Sequence, residues 1–352
     1  MAADRATGAQ DGVAWRARVG QRVVVRRRLV DGTATDVVGA LLAVDEEPAG
    51  WVLTVERPGD AVRVPLTDVI VGKVVPPRPS RPAPAHRALS IGDLERVAAL
   101  HWRAPDTELL GRSPGGWLLR AAGGFTGRAN SALAAGDPGL ELPAALDAVR
   151  AWYTRRGLAP RVALARPDAR APDGPPPDAA VLAALARGLR SDGWVRRPGA
   201  GAIVLTAATA ALAAREGDDR VRLDAEPDPL WLDRYHYRGS PVPPVGRGLL
   251  LSAPEQVFAS VADQAADHGG PVAVARGSLG GGWAGVAAVE VAPAHRRRGL
   301  GRLLLAQLAR WALDRGARST FVQVGEDNET ALAVYQAAGF AVHHRYDYLV
   351  PL

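Results

Sequence analysis

Residues 286–340 read VAAVEVAPAHRRRGLGRLLLAQLARWALDRGARSTFVQVGEDNETALAVYQAAGF. The apolar run Val286–Val291 predicts a strand. It ends in a turn, Ala292-Pro293-Ala294-His295, after which Arg296-Arg297-Arg298-Gly299-Leu300-Gly301 opens a helix. Leu304, Leu308 and Trp311 recur at i, i+4 and i+7, which puts them on one face of that helix. A strand over Thr320–Val324 and a short helix over Glu329–Ala338 follow.

The loop has its own chemistry. A helix N-terminus presents unpaired N–H groups and the positive end of a dipole, so it attracts anions. Gly299 and Gly301 carry no Cβ to hold a phosphate off the backbone. Arg296, Arg297, Arg298 and Arg302 add formal positive charge. The segment reads as a phosphate cradle. It is neither a P-loop, because no Gly-Lys-Ser/Thr follows, nor the G-x-G-x-x-G dinucleotide fingerprint.

Arg296-x-x-Gly299-x-Gly301 after a strand resembles the acetyl-CoA loop of the GNAT N-acetyltransferases. Asn328, Tyr335 and Gly339-Phe340 resemble that family's next segment. The loop alone is a weak signal and also suits a generic βαβα piece with a basic turn. The order and spacing of all the parts make it a strong one. The resemblance implies an α+β fold, with a mixed central sheet flanked by helices, and acetyl-CoA as co-substrate. It implies no metal. Carried over residue by residue, it implies that Val289, Val291, Arg296, Arg297, Arg298, Gly299, Leu300, Gly301, Arg302 and Asn328 hold the CoA. The end of strand Val286–Val291 is expected to splay from its neighbour, with the Val291 N–H polarising the thioester carbonyl.

Tyr335 is then the acid for the departing thiolate. It follows Asn328 by seven residues, which places both on one helix face about 10 Å apart. The competing reading of Tyr335 is an aromatic packed in the core. Some relatives place a Glu where this chain has Gln323, and Gln accepts no proton at neutral pH. Glu290 is the substitute general base, set against a plain exposed carboxylate beside the arginines. Glu326 and Asp327 are weaker candidates, and a water relay to no single base also stands, because an amine needs only modest help to deprotonate.

Composition bounds the rest. The 352 residues exceed one ordinary domain. Hydrophobic content of 47% and charged content of 23% are those of a globular protein. The absence of cysteine excludes disulfides, thiol catalysis and Cys-ligated zinc. No apolar run of about 18 residues predicts a membrane helix. The first residues, MAADRATGAQDG, show no apolar secretory core, so the expectation is cytoplasmic. The net charge of +6 is carried by arginine, with Lys73 the sole lysine. Such a chain suits CoA phosphates, nucleic acid or other anions, and charge alone does not choose.

Residues 13–75 carry short strand-like runs at Arg22–Val30, Asp36–Val44, Trp51–Glu56, Ala61–Pro65 and Val69–Val75. Turn residues separate them, Pro58-Gly59-Asp60 among them, and they resemble a small SH3-like barrel. Arg16, Arg18, Arg22 and Arg26–Arg28 make one edge basic, either as a solvated face or as a contact for nucleic acid or an acidic partner. Residues 76–87, PPRPSRPAPAHR, read as a proline-rich linker.

Residues 88–220 and 221–352 echo one another. Trp152-x-x-x-Arg156-Gly157 parallels Trp311-x-x-x-Arg315-Gly316, and Gly193-Trp194 parallels Gly339-Phe340. Residues 88–220 therefore read as a degenerate GNAT-like half and 221–352 as the catalytic half. In the first half, Asp137–Leu142 replaces the arginine-rich loop, and its acidic residues repel phosphate. Arg128-Ala129-Asn130-Ser131 is polar within an apolar run; it either lines a cleft or pairs within a strand, Arg128–Leu133, and the second reading is favoured. Trp231, Tyr235, His236 and Tyr237 cluster on a predicted helix, either as core or interface aromatics or at the acceptor side implied by the resemblance. His343-His344 lies on a strand, where neighbours point to opposite faces, so a metal pair is not expected.

The stretches VGQRVVVRRRLVDG, FTGRANSAL and HRYDY resemble a narrower bacterial family, labelled histone acetyltransferase-like, that carries an SH3-like domain before its GNAT region. The tandem plan is also similar to that of mycothiol synthase, so a small-molecule amine and a protein amine both stand as acceptors. A homodimer is left open, and no membrane partner is expected. The competing class is a non-catalytic acyl-CoA-binding regulator whose basic barrel contacts nucleic acid or a protein.

Overall fold

Alternating valines build the first sheet. The computed structural model describes residues 12–57, 60–75, 84–113, 115–174, 176–214, 219–262 and 270–352. The Pro58-Gly59 turn and linker residues 76–83 lie outside the described residues. The chain divides into two units, Met1–Arg81 and Pro82–Leu352.

In the first unit a short helix α1 (Gly12–Arg16) precedes β1 (Arg22–Arg28), β2 (Ala34–Glu47), β3 (Gly50–Arg57), β4 (Asp60–Pro65) and β5 (Val69–Val74). The sheet order is β4-β3-β2-β1-β5, and the β-strand pairings are antiparallel. Val23 and Val25 point inward on Trp15, Leu41, Leu53 and Val55, while Arg26 and Arg28 face out. This is the period-two pattern of a half-buried strand. The guanidinium groups of Arg16 and Arg18 lie over Trp51 and Trp15, with their central carbons 4.4 and 4.8 Å from the ring centroids.

The second unit is built on a twelve-stranded mixed sheet. Its first half runs α2 (Ile91–Leu100), β6 (Asp106–Leu110), β7 (Trp117–Ala121), β8 (Ala132–Leu133), α3 (Leu142–Thr154), β9 (Val162–Pro167), α4 (Ala179–Ser191), β10 (Trp194–Arg196), β11 (Ala202–Ala208) and α5 (Thr209–Ala213). Its second half runs β12 (Val221–Asp224), α6 (Pro229–Arg234), β13 (His236–Tyr237), β14 (Ser240–Pro241), α7 (Pro244–Leu250), β15 (Glu255–Ala262), β16 (Pro271–Gly280), β17 (Trp283–Val291), α8 (Leu300–Asp314), β18 (Ser319–Gly325), α9 (Glu329–Ala337) and β19 (Ala341–Pro351). The architecture is α+β, as the sequence predicts.

The strand order is β12-β15-β16-β17-β18-β11-β19-β9-β8-β7-β6, with β10 also on β19. The two halves exchange strands. β11, from the first half, lies antiparallel between β18 and β19 of the second. β19 in turn pairs with β9 and β10 of the first. Residues 88–220 and 221–352 therefore share one sheet rather than closing two. The internal echo has a common geometry. Arg156 folds back over Trp152 and pairs with Asp106 on β6, while Arg315 folds back over Trp311 and pairs with Glu255 on β15.

Helix α8 earns its position from its apolar stripe. Leu300, Leu304, Leu308 and Trp311 are buried against β16–β18. Each leucine so buried contributes about 2 kcal/mol. Helix α2 is fixed at its start by two side chains. Ser90 Oγ accepts the Asp93 N–H, and the Asp178 carboxylate accepts those of Ile91 and Gly92.

Three expectations are corrected. Of the aromatic cluster only Trp231 lies in helix α6; Tyr235 follows its end, and His236-Tyr237 form β13. Arg128–Asn130 is a 3-10 turn, and only Ala132–Leu133 is strand. The Asn130 side chain accepts the N–H groups of Ala122 and Gly124 and donates to Thr126 O, which supplies the turn with an alternative to a ladder. The two histidines do not point apart. The register shifts between Val204 and Leu205, opposite His344 and Val342, so His343 is bulged out. Its Nδ1 then lies 2.8 Å from His344 Nδ1.

Candidate active site

β17 runs parallel to β18 only as far as Val286 opposite Val322. Past that point the two strands have no mutual pairing, and a gap opens between Ala287–Val291 and Gln323–Gly325. A bulge sets up the gap. Ala288 and Val289 together oppose Ala275 on β16, and Ala288 has φ +52. The Ala292 N–H bonds to Val272 O, so by strand alternation the Val291 N–H and C=O point away from β16 toward the gap. The Val289 N–H shares that direction.

The cradle follows directly. Arg297 and Gly299 adopt φ +63 and +80, which turns the chain into α8. Gly299 caps the helix without a side-chain bond. Its carbonyl takes the N–H groups of Arg302 and Leu303, which leaves those of Leu300 and Gly301 without an intrahelical acceptor. A Cβ on Gly301 would meet nothing within 4 Å, so open space lies in front of the backbone there. Leu300 is buried and anchors the loop, whereas Arg296, Arg297, Arg298 and Arg302 are exposed. Arg296 donates to Val291 O at 3.2 Å. The residues present fit a diphosphate-bearing group, through free N–H donors, four cations and no side chain in the way.

Asn328 caps α9 by accepting the Ala331 N–H at 3.0 Å. Tyr335 is half-buried, and its ring meets that of Phe340 edge-on with centroids 5.5 Å apart. Burial raises the phenol above its ordinary range, so it holds its proton at neutral pH. The ring packs on the hydrophobic core of that sheet face, as the packing reading expects.

Glu290 pairs across the sheet with Val274, on the face of Phe258 and Trp231, away from α8. Its Oε2 accepts the His236 backbone N–H at 2.6 Å, and Oε1 lies 3.5 Å from His236 Nδ1. The carboxylate is thereby fixed at the start of the β13–β14 hairpin.

On that same face, beside the open end of the gap, lies a cavity of about 810 Å³. It is walled by the Gly124–Arg128 turn, the Tyr237-Arg238 hairpin, Ala200–Ala202, Gln323, Asn328, Tyr346 and Tyr348. Of the site residues predicted from sequence, Asn328 and the weaker base candidate Asp327 line it. Val289, Val291, Glu290, Tyr335 and the Arg296–Arg302 loop do not.

Sequence reading missed the buried chain behind Gln323. Leu89 O can only accept, so His343 Nε2, at 3.2 Å, donates to it. His343 Nδ1 must then accept from His344 Nδ1. His344 Nε2 is left facing Glu95 Oε1 at 2.9 Å. Glu95 Oε1 also accepts from Gln323 Nε2 at 3.3 Å, and Gln323 Oε1 accepts from Arg128. His344 is fully buried and Glu95 is 5% exposed. Burial first, and the neighbouring His344 second, lower His343 to about 4. Arg128, Gln323 and His343-His344 each stand out in the sequence, but Glu95, which joins them, carries no signal there. No group of three or more His, Asp or Glu that could hold a metal occurs among the described residues.

The sequence profile of the family described as "Probable histone acetyltransferase Rv0428c C-terminal" matches residues 89–349. The uncharacterized N-acetyltransferase YobR of Bacillus subtilis (strain 168) is 25% identical over 266 residues, or 74% of this chain and 98% of the relative. Streptothricin acetyltransferase of Streptomyces lavendulae is 42% identical over 53 residues, or 15% of this chain and 28% of that protein. Among solved structures, a GCN5-related N-acetyltransferase from Kribbella flavida matches at TM-score 0.51 and 21% identity, covering 75% of this chain and 96% of the other. A tandem GNAT protein from the clavulanic acid biosynthesis pathway matches at TM-score 0.51 and 17% identity, covering 77% and 89%. These two share the fold.

Proposed function

The chain belongs to the GNAT N-acetyltransferases, in the probable histone acetyltransferase Rv0428c C-terminal family, and from that premise we propose that it moves an acetyl group from acetyl-CoA to a primary amine. The observation that supports this reading is the alignment of two features. A strand gap with inward N–H groups at Val289 and Val291 leads directly to an uncapped helix start behind four arginines.

Each residue has a task. The N–H groups of Leu300 and Gly301, with Arg296–Arg298 and Arg302, hold the diphosphate. The Val291 N–H, with that of Val289, meets the thioester carbonyl, where negative charge develops. Acetyl-CoA supplies the activated acyl group. The amine nitrogen must arrive neutral, and Glu290, fixed by His236, accepts its proton from the face opposite α8. Tyr335 keeps its proton at neutral pH and gives it to the leaving thiolate. Gln323 accepts no proton. Its amide is held by Glu95 and Arg128, so it orients the cavity wall.

Release of free CoA thiol from acetyl-CoA over a panel of primary amines tests the reading. Amine-dependent release supports it. Binding of acetyl-CoA with no release across the panel contradicts it and favours a non-catalytic acyl-CoA sensor.

A further inference from the structure

The acceptor cavity carries a charge that the CoA cradle does not explain. Four guanidinium groups line it, those of Arg128, Arg161, Arg197 and Arg238, against the single carboxylate of Asp327. None of the four forms an ion pair among the described residues, although carboxylates a short way off are bridged to other arginines. Glu326 takes Arg196 and Arg345, and Asp347 takes Arg166 and Arg196.

Arg128 is spent on Gln323, and Arg238 donates to Gly199 O at 3.1 Å. Arg161 is different. Its Nε is buried with no hydrogen-bond partner. Its guanidinium carbon sits 5.5 Å from the Tyr348 ring centroid. Burial first, and the like charge of Arg197 second, lower its pKa. Two like charges crowded at a cavity wall, one with an orphaned buried donor, cost stability unless an anion joins them. Tyr237, Tyr346 and Tyr348 complete the wall with neutral rings.

We propose that this cavity binds the acceptor and that the acceptor is a small amine bearing a carboxylate or phosphate, held by Arg161 and Arg197. The proposal rests on the acetyltransferase reading and names its substrate class. A lysine-rich histone-type tail has the wrong sign for this cavity, and a volume of about 810 Å³ suits a small molecule. In the transfer, the amine nitrogen bonds to the acyl carbon as the C–S bond breaks. The nitrogen gives up one proton, and the thiolate takes one.

The test uses the full chain saturated with CoA. Calorimetry compares matched pairs, O-phosphoethanolamine with ethanolamine and 4-aminobutyrate with butylamine, alongside a lysine-rich peptide. The anionic member of a pair should bind at least about tenfold tighter. The pair with the larger difference identifies phosphate or carboxylate. Arg161→Gln and Arg197→Gln should bring that ratio to about one while leaving CoA affinity unchanged. Equal binding within both pairs, or preference for the peptide, overturns the proposal. The same pairs with acetyl-CoA separate the two claims. Selective binding without thiol release keeps the anion site and removes the transferase reading, whereas release with no anion preference does the reverse.

Discussion

Arg128, from the first half of the tandem unit, donates to the side-chain carbonyl of Gln323, from the second. The bond belongs to the chain that passes through Glu95 and His344 to His343, so one wall of the cavity is positioned by a buried network.

Removing the middle of that network should be costly. Glu95→Ala strands the Gln323 amide and the His344 ring in the interior. We expect a loss of about 2–4 kcal/mol, read as a lowered denaturation midpoint. Glu95→Gln, which keeps an acceptor for Gln323, should lose less.

Stability should fall as the pH drops from 6.5 toward 4. Burial lowers both His343 and His101 to about 4. His343 is lowered further by His344, and His101 by Arg276 and Arg128, while the carbonyls of Leu89 and Gly280 oppose the shifts. Between pH 6.5 and 4 the unfolded chain takes up protons that the folded chain does not, so unfolding gains. Each histidine contributes roughly 3 kcal/mol at the lower limit. Urea midpoints against pH should show this slope, and His343→Asn should flatten it. An unchanged slope in that variant excludes His343.

Tyr335→Phe keeps the ring against Phe340 and removes the proton. The turnover number should fall about a hundredfold with acetyl-CoA affinity intact. Equal loss of affinity would assign Tyr335 to packing instead.

One acetyl-CoA should bind per chain. In the first half, α3 starts from Glu141, with Pro143 in its first turn, in place of an arginine loop. A carboxylate there repels phosphate, and proline removes a donor. A stoichiometry of two by calorimetry would contradict this account.

The sequence carried the cradle because the cradle is local. Its glycines, arginines and helix face are neighbours in the chain. The tandem plan was legible through Trp152 and Trp311, whose arginines adopt the same folded-back pose. The strand exchange was not legible, because no residue in β11 or β19 names its partner strand. Arg128–Asn130 was misread because the turn is held by the Asn130 side chain rather than by a ladder. His343 was misread because one bulged residue defeats the alternation rule. The cavity was beyond reach, since Arg128, Arg161, Arg197 and Arg238 converge only through the exchanged sheet.

Acetyl-CoA calorimetry on the wild type, Gly301→Ala and Gly301→Asp tests the cradle most directly. A Cβ at Gly301 meets nothing within 4 Å, so the alanine variant should fold and bind within a fewfold of wild type. The aspartate variant should fold and lose binding at least about a hundredfold, because its charge faces the phosphates. Wild-type-like affinity in Gly301→Asp, or no binding by the wild type, would contradict the placement of CoA on α8.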